Sequence, residues 1–385
     1  MVDETSRRGA QAFRQAMADA GASALGAPAR MESLPGSRAL WDGRVAPLIP
    51  LLHGVKNLIV IPSGAMLGIP LETLTNGAGE LLGDLYSVSY SPSATVYAWL
   101  REQASGARAE GKRALLVGDP PLSARDLKEM NGSGPGPALA AMDATRLQYP
   151  GWSSQALRGV PDSLALLPRL IWSRREIMDL AAIFPASDLL LGPAASEPTV
   201  VKLADSGALA QFNVIHLATH ALVDDARPER SAIVLSLVDL PDPTAAALEG
   251  RRIFDGLVTA KEIVREWKLN ADLVTLSACE TALGKEVAGE GYVGLAQALL
   301  QVGARSVLVS LWGVNDRATS LLMHRFYQNW IGQRRDSGGD SPGMSKGEAL
   351  REAKQWLRQY RDETGKTPFA HQFYWAPFIL IGDAS

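Results

Sequence analysis

The sequence predicts an α/β protein with a mostly parallel central sheet and helices on both faces. Three observations predict it. Short apolar runs such as Val214–Thr219, Leu273–Ala278 and Ser306–Trp312 read as strands buried on both sides. They alternate with helix-length amphipathic segments, the pattern of a doubly covered sheet. Two of the runs end in polar tips, one carrying His220 and the other Cys279, the only cysteine in 385 residues.

Taken in order, residues 1–40 read as a helix followed by a Gly/Ala/Pro-rich tether, Gly21 to Arg30. Residues 41–170 form a first half, with strands at Leu58–Ile61 and Tyr86–Tyr90 separated by Pro62-Ser63-Gly64 and Asn76-Gly77 turn chemistry. A short helix starts at Ser93, and the run Ala114–Pro121 is a strand stopped by its prolines. From about 120 to 170 the text is irregular around Asn131–Pro137, and it reads as a Gly/Pro-rich insertion.

Residues 171–385 form the second half. Helices are predicted at 174–183, 198–210, 259–267, 291–302, 318–332 and 345–362, with strands at 214–219, 232–237, 273–278, 306–312 and 377–381.

Composition narrows the function classes. Charged residues are 21% and hydrophobic ones 46%, ordinary for a globular enzyme. A net charge of −3 supplies no general attraction for phosphate backbones or anionic lipid, so neither nucleic acid nor membrane is an expected partner. One cysteine excludes an intrachain disulfide and a multi-thiolate zinc site, and it fits a reducing, cytoplasmic setting. No metal and no cofactor is expected. The glycines at 284, 289, 291 and 294 lack the spacing of a phosphate loop.

In a parallel sheet, neighbouring strands ending at His220 and Cys279 would bring an imidazole and a thiol to the carboxyl edge, where open α/β sheets place their chemistry. A cysteine nucleophile needs a base to form its thiolate. Among five histidines, His216 lies inside an apolar run and reads as a buried, hydrogen-bonded neighbour. His220 reaches a polar loop and is the better base, whereas His53, His324 and His371 have no nucleophile signal nearby. Backbone amides of Ala221 and Cys279 are the natural oxyanion donors. Trp312, Asp316 and Glu290 fall at the same edge as candidate substrate contacts, the two acids for a basic side chain, although Asp316 is an equally good helix cap.

These residues carry a resemblance. Val214–His220, Leu276–Thr281, Gly289-Glu290-Gly291 with Leu295–Ala298, and Gly303–Trp312 make the sequence similar to the CHAT family, a caspase-like peptidase domain often joined to tetratricopeptide repeats. Leu58–Pro62, Ile69–Glu72 and Tyr90–Ala94 extend the likeness upstream. It implies a caspase-like fold of two halves, a Cys279 nucleophile, a His220 partner and cleavage of protein chains. Family members commonly have glycine where this chain has Ala221, which keeps the amide donor. The accompanying repeats are not in this sequence, so partner sensing is expected from another chain, from the short amino-terminal segment, or not at all. A signalling module without turnover and a small-molecule acyl hydrolase using the same pair are the alternatives.

Overall fold

A computed structural model describes residues 4–23, 35–104, 112–132, 164, 167–224, 226–277, 290–333 and 342–385. The strands are β1 (Asn57–Val60), β2 (Ser87–Tyr90), β3 (Ala114–Gly118), β4 (Ser187–Leu191), β5 (Val214–Ala218), β6 (Ala221–Leu222), β7 (Ala232–Val234), β8 (Leu257–Thr259), β9 (Leu273–Leu276), β10 (Ser306–Ser310) and β11 (Phe378–Gly382). Eight of them form one sheet in the order β1-β2-β11-β10-β9-β5-β3-β4. Six of its seven pairings are parallel, and only β10 with β11 is antiparallel. The predicted fold class, a mostly parallel sheet flanked by helices, is the one observed.

The central strands are long apolar runs because helices cover both faces. Every residue of β3, β5, β9, β10 and β11 is buried. Helix Asp316–Ile331 lays Leu322, Met323, Phe326 and Tyr327 into this core with no exposed surface, and each such side chain contributes about 1.5–3 kcal/mol by leaving water. Its start is fixed by Asn315, whose side chain accepts the Ala318 N–H, and its end by Gly332 at φ 84°. The cap expected of Asp316 thus belongs to its neighbour.

Two sequence expectations are corrected, the place of the 232–237 run and the irregularity of the 120–170 segment. The 232–237 run is not in the main sheet: β7 pairs antiparallel with β6 and β8 in a separate three-stranded sheet. The two halves drawn at residue 170 share one sheet, in which β3 of the first sits between β5 and β4 of the second. The 120–170 insertion is not wholly irregular, for Ser123 caps a helix over Ala124–Asn131; its middle, 133–163, lies outside the described residues.

The amino-terminal helix, Glu4–Ser23, is part of the body. Ala10, Phe13 and Met17 join the main core. Gly36 at φ 81° passes so close that a Cβ there would stand 2.1 Å from the Gly9 carbonyl oxygen. The tether at 21–30 falls largely outside the described residues.

Candidate active site

The carboxyl ends of β3, β5 and β9 lie side by side, with Gly118 opposite Ala218 and Leu217 opposite Leu276. Helix Ser173–Ile183 covers this end of the sheet on one face. It packs so closely that a Cβ on Gly118 would meet Ile177 Cγ1 at 2.6 Å. The last described rung between β5 and β9 is Ser277 N–H donating to Leu217 C=O at 3.0 Å. Beyond that rung the first chain turns away: the His220 carbonyl accepts the Val234 N–H at 2.9 Å, and Ala221 faces Ile233 in the small sheet.

His220 is 2% exposed. Its Nε2 lies 2.7 Å from the carbonyl oxygen of Pro168. A carbonyl only accepts, so Nε2 carries a proton, which leaves Nδ1 as the nitrogen able to take or give one. Nδ1 is buried and has no hydrogen-bond partner among the described residues. Such an unsatisfied basic nitrogen is rare in a protein interior and marks a functional candidate.

Pro168 belongs to a segment pinned from several sides. Arg169 makes a two-pronged contact with Asp119, Nε to Oδ1 and Nη2 to Oδ2, each 2.9 Å. Arg174 Nε reaches Asp119 Oδ2 at 3.2 Å, and Ser173 Oγ accepts the Asp119 N–H at 3.0 Å. Trp172 N–H donates to Asp316 Oδ2 at 2.7 Å.

Beneath His220 lies a second polar cluster, fully buried. Glu176, on the covering helix, takes His216 Nε2 at 2.6 Å and also accepts the Ser277 hydroxyl on the same Oε1. His216 Nδ1 contacts Tyr327 Oη at 3.2 Å, and Tyr327 Oη contacts Thr275 Oγ1 at 2.8 Å. Burial, more than any neighbour, pushes the Tyr327 hydroxyl far above its ordinary range, with the Glu176 charge adding to it. Tyr327 therefore serves as a neutral hydrogen-bonding group, and His216 has the buried, hydrogen-bonded place expected of it.

The remaining candidates separate. Cys279 lies outside the described residues, two positions past Ser277, the last described residue after β9. Ala221 opens β6 opposite Ile233. Because His220 and Val234 form the hydrogen-bonded pair, the alternation of an antiparallel ladder turns the Ala221 N–H away from β7. Trp312 is 3% exposed, and its Nε1–H donates to the Phe373 carbonyl at 3.0 Å, a framework contact. Asp316 is 4% exposed. Glu290 begins helix Glu290–Gln301, and its side chain lies outside the described residues.

Sequence reasoning missed Pro168, Asp119, Arg169, Glu176 and Ser277. Pro168 acts through a backbone carbonyl, which has no residue-type signal. Among the described residues there is no cluster of three metal-ligating side chains, and no helix is long and apolar enough to cross a membrane.

Comparison with known proteins places the chain. The CHAT domain family profile matches residues 34–383. Tetratricopeptide repeat protein 28 of Mus musculus is 32% identical over 126 residues, 33% of this chain and 4% of that protein. The Homo sapiens protein of the same name is 27% identical over 242 residues, 57% of this chain and 9% of that protein. The chain thus spans less than a tenth of these relatives. Among solved structures, the Saccharomyces cerevisiae separase–securin complex is matched with a TM-score of 0.41 and 15% identity, over 84% of this chain and 15% of that one. The Arg-specific cysteine proteinase gingipain R gives 0.38 and 8%, over 77% of this chain and 55% of that one.

Proposed function

We propose, on the premise that this chain belongs to the CHAT domain family, that it is a cysteine endopeptidase whose nucleophile is Cys279 and whose base is His220. One observation carries the reading. His220 stands at the carboxyl end of β5, beside the strand that leads to Cys279, with Nε2–H anchored on Pro168 and Nδ1 without a partner among the described residues.

The chemistry then follows from the proton ledger. Nδ1 takes the thiol proton, and the thiolate sulfur bonds to the peptide carbonyl carbon, whose C=O electrons move onto oxygen. The Ala221 and Cys279 amides hold that oxyanion. On collapse the C–N bond breaks and the Nδ1–H proton passes to the departing amine. Water, losing a proton to Nδ1, then attacks the thioester, and the acid product leaves as sulfur recovers its proton. The Pro168 anchor keeps the ring in one tautomer through both halves.

Favouring the peptidase over a non-catalytic module is that His220 Nδ1 is left without a hydrogen-bond partner among the described residues while Nε2 is anchored at the carboxyl end of β5, beside the strand that leads to Cys279. For the residue before the scissile bond we propose a basic side chain, with Asp316 and Glu290 as the acids that would receive it. The test uses a mixed peptide library with the wild-type chain, Cys279→Ala and His220→Ala. Cleavage by wild type that both variants lack is the expected result. Full activity in Cys279→Ala would refute the assignment. Alkylation of Cys279 by a peptide probe without turnover would leave the module reading, and trapping of small esters but no peptides would leave the acyl hydrolase.

A further inference from the structure

We propose that Asp119 is a positioning residue for His220, acting through Arg169 and the Pro168 carbonyl; the proposal deepens the peptidase reading and takes the role of His220 from it. Asp119 directly follows Gly118, which pairs with Ala218, so it leaves the sheet at the same level as the Thr219–His220 turn.

Its backbone is in the left-handed region, φ 51°, one of two non-glycine residues with positive φ among the described residues. An L-residue stays there only when its surroundings hold it, and such positions gather at functional sites. Here the holding groups are explicit. The carboxylate side chain has no exposed surface and meets Arg169 through both oxygens and Arg174 through one. The backbone N–H is held by Ser173 Oγ, which itself donates to the Leu170 carbonyl at 2.7 Å. One aspartate therefore grips the 169–174 segment by its side chain and its main chain.

The link to the imidazole is a single peptide unit. The Pro168 C=O and the Arg169 N–H belong to one rigid plane, so fixing the Arg169 side chain restrains the direction of that carbonyl. A two-pronged carboxylate–guanidinium contact adds geometric definition beyond charge attraction. The Pro168 oxygen, 2.7 Å from His220 Nε2, selects the ring tautomer. Without the clamp the carbonyl could swing, Nε2 would lose its acceptor, and the proton could reside on Nδ1, where it blocks base catalysis.

The test uses the full chain with Asp119→Asn, because asparagine tolerates positive φ and keeps the volume while losing the charge. Nitrogen NMR of the imidazoles is read at a pH where the ring is neutral, with His220 assigned from His220→Ala. Wild type should show a protonated Nε2 and a bare Nδ1, and Asp119→Asn a mixture of tautomers. With the library peptide cut best, kcat should fall ~10–100-fold with little change in KM, the scale expected of a misplaced catalytic group. Unchanged ring nitrogens and unchanged kcat in a folded variant would overturn the proposal and leave the peptidase reading standing. A wild type that cuts nothing, with the tautomer still lost in Asp119→Asn, would do the reverse. Should that variant not fold, Arg169→Lys, which keeps the charge without the fork, carries the same readouts. Unfolding of both would make the pair a framework contact only and overturn the proposal.

Discussion

Glu176 Oε1 lies 2.6 Å from His216 Nε2 and also accepts the Ser277 hydroxyl, so one buried carboxylate oxygen joins β5 to the end of β9. The junction sits at the last described rung of the backbone ladder between the two strands, Ser277 N–H to Leu217 C=O. Past it, one chain runs to His220 and the other to Cys279.

Removing that carboxylate should therefore be costly. Glu176→Ala strands two buried donors, the His216 Nε2–H and the Ser277 hydroxyl, at a penalty of ~1–3 kcal/mol apiece. Glu176→Gln keeps an acceptor oxygen and should lose less. Urea-denaturation midpoints should fall in the order wild type, Gln, Ala. Equal midpoints for wild type and Glu176→Ala would show that the bridge does not stabilise the fold.

A pH effect should arise away from the site, at Glu197. This residue opens helix Glu197–Asp205 and accepts the Asp255 and Gly256 N–H groups at 2.9 Å each, fixing the turn into β8. Burial raises its carboxyl from 4.5 to about 7; the Gly256 N–H bond offsets part of this, and the charges of Asp255 and Glu262 add to the rise. Arg252, 3.7 Å away, is the facing cation. Because the folded value exceeds the unfolded one, the unfolded chain releases this proton first. Its contribution is intact below about 4.5 and is lost as pH rises to about 7. Glu197→Gln cannot ionise, so across that window the variant should gain on wild type in denaturation midpoint. A variant that loses ground instead would mean that Arg252 and the two amides favour the charged form.

How much of this was legible follows from what each residue does. β5, β9 and β10 were readable because strands covered on both faces must be apolar throughout. β4, with Asp188 and Leu189 exposed at the sheet edge, lacks that signature and was missed. β7 carries the same buried apolar text as a central strand but pairs only within the small sheet, a distinction that three residues cannot encode. His216 was assigned correctly to the interior from its flanks, yet its partner Glu176 stands in the run Arg174-Arg175-Glu176, which reads as a solvated helix face. Asp119 reads in sequence only as the tail of a strand run stopped by two prolines; its grip on Arg169 spans 50 residues and exists only in three dimensions.

Asp316 gives the sharpest test of substrate choice, because its framework and recognition roles respond differently to one substitution. Its Oδ2 accepts the Trp172 N–H at 2.7 Å, and in Asp316→Asn the amide oxygen can still do so, so the segment leading to His220 should keep its place. The charge is lost, however. If a basic side chain is received there, cleavage after Lys and Arg should fall by about tenfold or more relative to cleavage after uncharged residues, since an unmatched cation at a water-poor site forfeits a charge-assisted bond. The measurement is a ratio of kcat/KM values for peptides differing only at that position, which cancels any general loss of activity. A ratio unchanged in the folded variant would confine Asp316 to holding Trp172 and remove the basis for a basic preference at this residue.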